Sequence, residues 1–335
     1  MALKDLRKFL PGLLISLISL GIIFYFVDIQ ALLRALSQAD FRLILAGIAV
    51  FAVSLIARAL AWRTLLLDQV STARAALTIC EGYLLNNILP FRLGEIARAL
   101  IMSGTTGLGF WQVLSTILIE RAFDLILAAG IVLATLPFVL QVSWAAQASA
   151  VVVVVVIGGL FFLYLLARNR DRSLAFYDRL CARWPALVRL GRDRISSFFT
   201  GLAVLTDFRR FLKAFGWLAL VWGLTLVEYY LFLLAFEPEA EPLWAAFSLG
   251  VLALGVAVPS APASLGVYEA ALVGGLLAFG VDPAVALAYA ITTHLLFVLL
   301  TGSIGVFAFV RDGLSISRLY RDARAGVGQG ASPDA

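Results

Sequence analysis

Long apolar runs, separated by short charged stretches, set the pattern of this chain. About 20 apolar residues cross the hydrocarbon core of a bilayer as a helix. Six runs reach that scale: Leu10–Val27, Leu43–Trp62, Trp111–Leu136, Ala148–Leu166, Phe211–Phe236 and Pro283–Val310. From Leu125 to Ala167 no residue is charged, which leaves room for two crossings and a turn. Two further apolar regions are interrupted near their middles. Ala75–Met102 is broken by Leu89-Pro90-Phe91-Arg92-Leu93-Gly94-Glu95, and Pro242–Gly280 by Pro259-Ser260-Ala261-Pro262-Ala263-Ser264-Leu265-Gly266. Period-two alternation is absent, which argues against a β-barrel. The pattern predicts an all-α polytopic membrane protein of about eight apolar segments.

Composition agrees. The chain is 62% hydrophobic and 14% charged, with a mean hydropathy of +0.98, whereas soluble domains are roughly half apolar and a quarter charged. Its 335 residues are therefore read as one integral membrane domain. The first run is longer than the apolar region of a signal peptide, and the small-residue site at Ser37-x-Ala39 lies well beyond it, so Leu10–Val27 is read as a retained span. The net charge of +5 concentrates at Lys4, Arg7 and Lys8, in the Arg168–Lys213 segment, and at Arg311–Arg324. Positive charge in alternate loops marks the cytoplasmic side and does not point to nucleic acid. Cys80 and Cys181 form no CxxC pair, so no disulfide or metal framework is implied.

Charge and parity together give a topology. Both termini, the Arg63–Arg74 connection and the basic loop at 168–213 go inside; the uncharged Pro137–Gln147 loop and the acidic Glu237–Glu241 loop go outside. For the Trp111–Leu136 span to begin inside, the first broken segment must enter and leave on the cytoplasmic side. The second either enters and leaves on the outer face or crosses twice as short helices. The hairpin reading gives six full spans and two re-entrant broken-helix hairpins in two inverted halves, residues 1–140 and 141–312, as in many secondary transporters. The competing reading is that Pro and Gly only kink ordinary spans. Within the basic loop, Leu174, Tyr177, Cys181, Trp184 and Val188 recur at helical spacing, with arginines between them. They predict an amphipathic helix, either on the anionic inner leaflet or as a solvated connector. The small-residue tail at 323–335 is expected to be disordered.

Charge inside apolar segments is costly and calls for a partner, water or a function. Three clusters stand out. The first surrounds the first break: Asn86, Asn87, Pro90, Arg92, Gly94, Glu95 and Arg98. Pro90 and Gly94 should stop and restart a helix, and free amides beside arginines suit an anion. The second is Glu120, Arg121 and Asp124, with the two carboxylates on one helical face. They are placed to neutralise Arg92 or Arg98, or to hold a proton. The third is Pro259, Pro262, Gly266 and Glu269 at the second break, where a carboxylate opens a helix. A buried ion-pair network that only locks helices together is the alternative for all three. Glu228 is read as lying near the outer interface, and His294, the only histidine, as a structural group or a proton relay.

The motifs Asn87-x-x-Pro90-x-Arg92-x-Gly94-Glu95 with Arg98, Glu120-Arg121-x-x-Asp124, and Pro259-x-x-Pro262 through Gly266-x-x-Glu269 resemble the lysylphosphatidylglycerol synthase transmembrane region family, also called flippase-like proteins. Arg58 and Trp62-Arg63 fit the same pattern. Where that family commonly has Pro-Gly in the second hairpin, this chain has Pro262-Ala263, which implies a stiffer tip. The resemblance implies movement of an amphiphilic lipid (a phospholipid, glycolipid or hopanoid-type lipid) between leaflets of the plasma membrane. The three clusters would then receive or balance its polar or anionic headgroup. The chain stops soon after its last span, so the family's aminoacyl-transferase domain, and lipid aminoacylation with it, is not expected. No P-loop, cofactor motif or catalytic constellation is present, and an enzyme is not expected. A non-catalytic accessory role beside a lipid- or glycan-synthesis enzyme is the alternative.

Overall fold

The computed structural model describes residue 21 and residues 27–89, 93–139, 143–180, 185–257 and 261–315. The predicted first span, Pro90, Arg92, Cys181, Pro259 and the tail at 323–335 fall outside these. The described residues are mostly helical, with no strand among them.

In chain order the helices are α1 (Ile29–Gln38), α2 (Phe41–Leu65), α3 (Thr72–Ile88), α4 (Leu93–Thr106), α5 (Phe110–Val139), α6 (Ser143–Arg168), α7 (Arg170–Leu180), α8 (Pro185–Gly201), α9 (Phe208–Leu234), α10 (Pro242–Gly255), α11 (Val267–Leu277) and α12 (Pro283–Arg311). Short 3-10 turns stand at Leu202–Leu205 and Pro262–Ser264. Among the described residues four helices, α2, α5, α9 and α12, are long and apolar enough to cross a membrane. The two interrupted regions each form a pair of shorter helices, α3 with α4 and α10 with α11. Their 17, 14, 14 and 11 residues lie at or below the low end of the roughly 17–25 needed to span.

The helix starts follow from local chemistry. Asp40 caps α2 by accepting the Arg42 amide at 2.8 Å. Asp207 caps α9 from Arg209 and Arg210. Both helices thus open on the same Asp-Phe-Arg signature, a repeat easily passed over, and α2 and α9 pack along each other through the middle of the molecule. The pairings around them recur in both halves. The α3–α4 pair has its counterpart in α10–α11, and α4 on α5 in α11 on α12. Likewise α3 packs on α12 as α10 packs on α5, and α2 meets α5 as α9 meets α12. Glycines permit the cross-half contacts: Gly305 of α12 lies on Cys80 of α3, and Gly250 of α10 on Val132 of α5, with no room for a Cβ. One apolar core gathers residues of α9 to α12 and α1; the other gathers α2 to α5 with Leu174, Phe199 and the 202–205 turn.

Two expectations are corrected. The single amphipathic helix of the basic loop is two helices, α7 and α8, with the second opening at Pro185. Proline cannot donate to a preceding turn but fits the first position of a new one. Arg192 and Asp178 tie α7 and α8 together at 3.1 Å, and α8 packs on the start of α5, where Gly201 sits against Gln112 and Ser115. The outer loop expected from Pro137 is shorter. Helix α5 continues through Pro137 to Val139, and α6 starts at Ser143; a proline in the last turn leaves only one carbonyl without its helical partner.

Candidate functional site

The first two charge clusters of the sequence are one cluster in space. The Glu120 side chain is fully buried and is reached by three arginines: Arg58 at 2.8 Å, Arg98 at 2.7 Å and Arg121 at 2.7 Å. Asp124, one turn on, takes both guanidinium nitrogens of Arg58 at 3.2 Å, Arg121 at 3.1 Å and the Trp222 indole at 2.9 Å. Glu95 of α4 faces Arg121 at 3.7 Å and Arg98 at 3.9 Å. Arg98 lies flat over the Trp62 ring, 3.6 Å from its centroid, and that ring is fixed by its indole hydrogen bond to Thr116 at 3.1 Å. Among the described residues, three arginines balance three carboxylates. Such a cluster can stay ionised away from water because every charge has an opposite within reach.

Arg58 comes from α2, so the cluster joins α2, α4, α5 and, through Trp222, α9. Its importance was available from the sequence: it is an arginine inside the Leu43–Trp62 run. The spacing argument passed over it because it has no carboxylate near it in the chain.

Glycines close the first break. Gly94 of α4 lies so near the Gly82 carbonyl and the Asn86 amide of α3 that a Cβ would come within 2.2 and 2.4 Å of them. The polar groups around this break are not all used. Asn86 Oδ1, Asn87 Nδ2, Arg98 Nε and Arg121 Nε are buried without a hydrogen-bond partner among the described residues, although buried polar atoms are normally paired.

At the second break Glu269, in the first turn of α11, accepts the Gly266 amide at 2.7 Å and meets His294 Nδ1 of α12 at 2.6 Å. His294 is therefore paired with a carboxylate. Its ring stacks on Tyr268 with centroids 4.1 Å apart, and the Tyr268 hydroxyl pairs with that of Tyr229 at 2.6 Å. The arrangement mirrors the first break: a residue of the second short helix pairs with one on the following long helix, Arg98 with Glu120 and Glu269 with His294, with the acid on opposite partners. Pro262 opens the 3-10 turn, which rests on α3. Ala263 and Ser264 both have φ of 56° and Gly266 has φ of 82°. The left-handed conformation at Ala263 is the one glycine accepts most readily.

A cavity of about 140 Å³ lies among α2, α3, α9 and α12, walled by Phe51, Ser54, Leu55, Arg58, Tyr83, Thr225, Glu228, Tyr229 and Phe297. Glu228 is 6% exposed and faces this cavity with Arg58. Arg58, from the charge cluster, and Glu228 thus share this cavity, and Tyr229 on its wall meets Tyr268, the neighbour of Glu269.

A separate ionic latch joins α3 to the end of α12. Arg74 holds Glu81 at 3.1 Å and Asp312, which also receives Arg311 at 3.0 Å. Partial burial acts to raise the Asp312 carboxyl, but hydrogen bonds from Arg74 and Arg311, together with their charge, hold its pKa below the ordinary carboxylate value. No group of three or more potential metal ligands occurs among the described residues.

The helices and the charge-balanced interior define an all-helical integral membrane protein. The chain belongs to the lysylphosphatidylglycerol synthase TM region family, matched over residues 10–305. It is also similar to Glycosyltransferase AglD of Haloferax volcanii, 25% identical over 322 aligned positions that cover 84% of this chain and 51% of that protein. The chain thus spans about half the length of the curated relative it matches. No solved structure matches it significantly.

Proposed function

We propose that the protein moves an amphiphilic lipid (a phospholipid, glycolipid or hopanoid-type lipid) between the leaflets of the plasma membrane, without chemistry of its own. On this reading, six spans and two re-entrant hairpins form an inverted repeat with both termini in the cytoplasm. The short lengths of α3, α4, α10 and α11 and the recurring pairings of the two halves support that topology. The polar or anionic headgroup enters at the first break and passes along the polar interior, while its chains stay in surrounding lipid. Arg92, Arg98 and the 90–95 backbone receive it; Asn86, Asn87, Glu95, Glu120, Arg121, Asp124 and Glu269 line or balance the path.

The observation that carries this reading is the set of buried polar atoms that have no partner among the described residues near the first break: Asn86 Oδ1, Asn87 Nδ2, Arg98 Nε and Arg121 Nε. A network built only to lock helices would use them, because an unmet buried polar atom costs about 1–3 kcal/mol. Here they leave donors and an acceptor available to a headgroup.

A second reading has one observation in its favour. The relative that shares this region is named a glycosyltransferase and is about twice as long. This chain would then serve a lipid- or glycan-synthesis enzyme as a membrane accessory. Reconstitution separates the two. Purified protein in vesicles that carry a panel of labelled phospholipids and glycolipids should equilibrate at least one of them between leaflets. Movement only when a synthesis enzyme is added would favour the accessory role.

A further inference from the structure

The central cavity contains a charge that the cluster beside it does not need. Arg58 is turned to other acids, with one terminal guanidinium nitrogen shared by Glu120 and Asp124 and the other terminal nitrogen on Asp124. With Arg98 and Arg121 set against Glu95 and the same two acids, the described cluster is neutral without Glu228. Glu228 makes no hydrogen bond or ion pair among the described residues, and it is 6% exposed. Its apolar neighbours at the cavity are Phe51, Leu55 and Phe297. An isolated carboxylate in such a place is neutralised by a proton, because the charged form loses its hydration and gains no partner. The cavity has space for water, and its polar wall supplies the partners that water needs. Filling it would give the carboxylate back its solvation.

The groups that face Glu228 fit a site of variable charge. From α2 comes Arg58, already neutralised, and from α3 Tyr83. Helix α10 carries no titratable side chain. Helix α5 contributes Asp124 and Glu120, both turned to arginines. Helices α11 and α12 contribute Tyr268, Tyr289 and the closed Glu269–His294 pair. No spare cation is left among them to hold Glu228 ionised. Beside it, the Tyr229 hydroxyl leads to Tyr268, and the Ser54 and Thr225 hydroxyls meet at 3.5 Å.

We infer that Glu228 is a proton-binding site, protonated while the central cavity is dry and released when water enters, and that it couples lipid movement to a proton gradient. The second half rests on the transport reading; the first does not. The test begins with the proton alone as ligand. Infrared difference spectra of the purified chain in lipid nanodiscs, taken between acidic and alkaline pH, should show a protonated-carboxyl band that is lost in Glu228→Gln and displaced in Glu228→Asp. A wild type without that band, or a band unchanged in both variants, overturns the proton site whatever the lipid assay gives. In vesicles with an imposed pH gradient, wild-type movement of the labelled lipids should respond to the gradient, and that response should be lost in Glu228→Gln. Equal wild-type rates with and without the gradient overturn the coupling and leave transport standing. A wild type that moves no lipid overturns transport, and the infrared band alone then decides the proton site.

Discussion

At the scale of single residues, Glu120 holds the most concentrated set of interactions in the molecule. Glu120→Gln leaves three guanidinium groups sharing too little negative charge, at a cost of about 3–5 kcal/mol. A large fall in melting temperature of the purified protein is the expected result; an unchanged melting point would show that water compensates the arginines. Ala263 lies on the other side of the ledger. Its left-handed φ of 56° strains an L-residue by about 1–2 kcal/mol, so Ala263→Gly should raise the melting temperature, with a gain of about 1 kcal/mol once the freer unfolded chain is counted. Asp312 gives a pH signature. Its depressed pKa means that the latch adds stability above the unfolded carboxylate pKa of about 3.9 and loses it as the pH falls through the folded value. Asp312→Asn should therefore flatten the acid limb of a stability–pH curve and lower stability at neutral pH. The sequence named Glu120, Arg121, Asp124, Glu95, Arg98 and Glu269 because charge within apolar runs is conspicuous. It also anticipated that Glu120 or Asp124 could neutralise Arg98, and Glu120 does so, but the other pairings were not legible. Arg58 with Asp124 and His294 with Glu269 are contacts between segments far apart in the chain, and a one-dimensional pattern holds no record of them.

At the scale of elements, the two broken segments depend on small residues where their arms meet. Gly94→Val would drive a side chain into the Gly82 carbonyl and Asn86 and should separate α3 from α4. Loss of folded protein on size-exclusion chromatography is expected. Gly104, on the same helix, has nothing within 4 Å of a Cβ, so Gly104→Ala should be neutral or stabilising by up to about 1 kcal/mol. Similar effects at both glycines would contradict the packing described. Helix limits were legible to within a few residues because apolar length and proline breaks are local properties. The α7–α8 break was not, because Leu174, Tyr177 and Val188 keep helical spacing across it, and Pro185 restarts the helix without disturbing that rhythm.

At the scale of the whole molecule, the recurrence of helix pairings in two halves and the shared Asp-Phe-Arg opening of α2 and α9 support a duplicated architecture. The proposed topology makes a direct expectation. In a background with Cys80 and Cys181 replaced, cysteine at Glu239 should react with an impermeant thiol reagent from outside the cell, and cysteine at Asp171 should not. Outside labelling at Asp171 would invert the assignment. The central claim is that the first break receives a lipid headgroup and does not merely brace the fold. Asn87 tests it most directly, because its buried Nδ2 has no partner among the described residues. Lipid movement and melting temperature should be measured together on reconstituted wild type and Asn87→Ala. The account predicts loss of movement with stability unchanged or raised, since the substitution removes an unmet polar group and adds a better helix former. Undiminished lipid movement in Asn87→Ala, or a fall in stability that alone accounts for the loss, would contradict it.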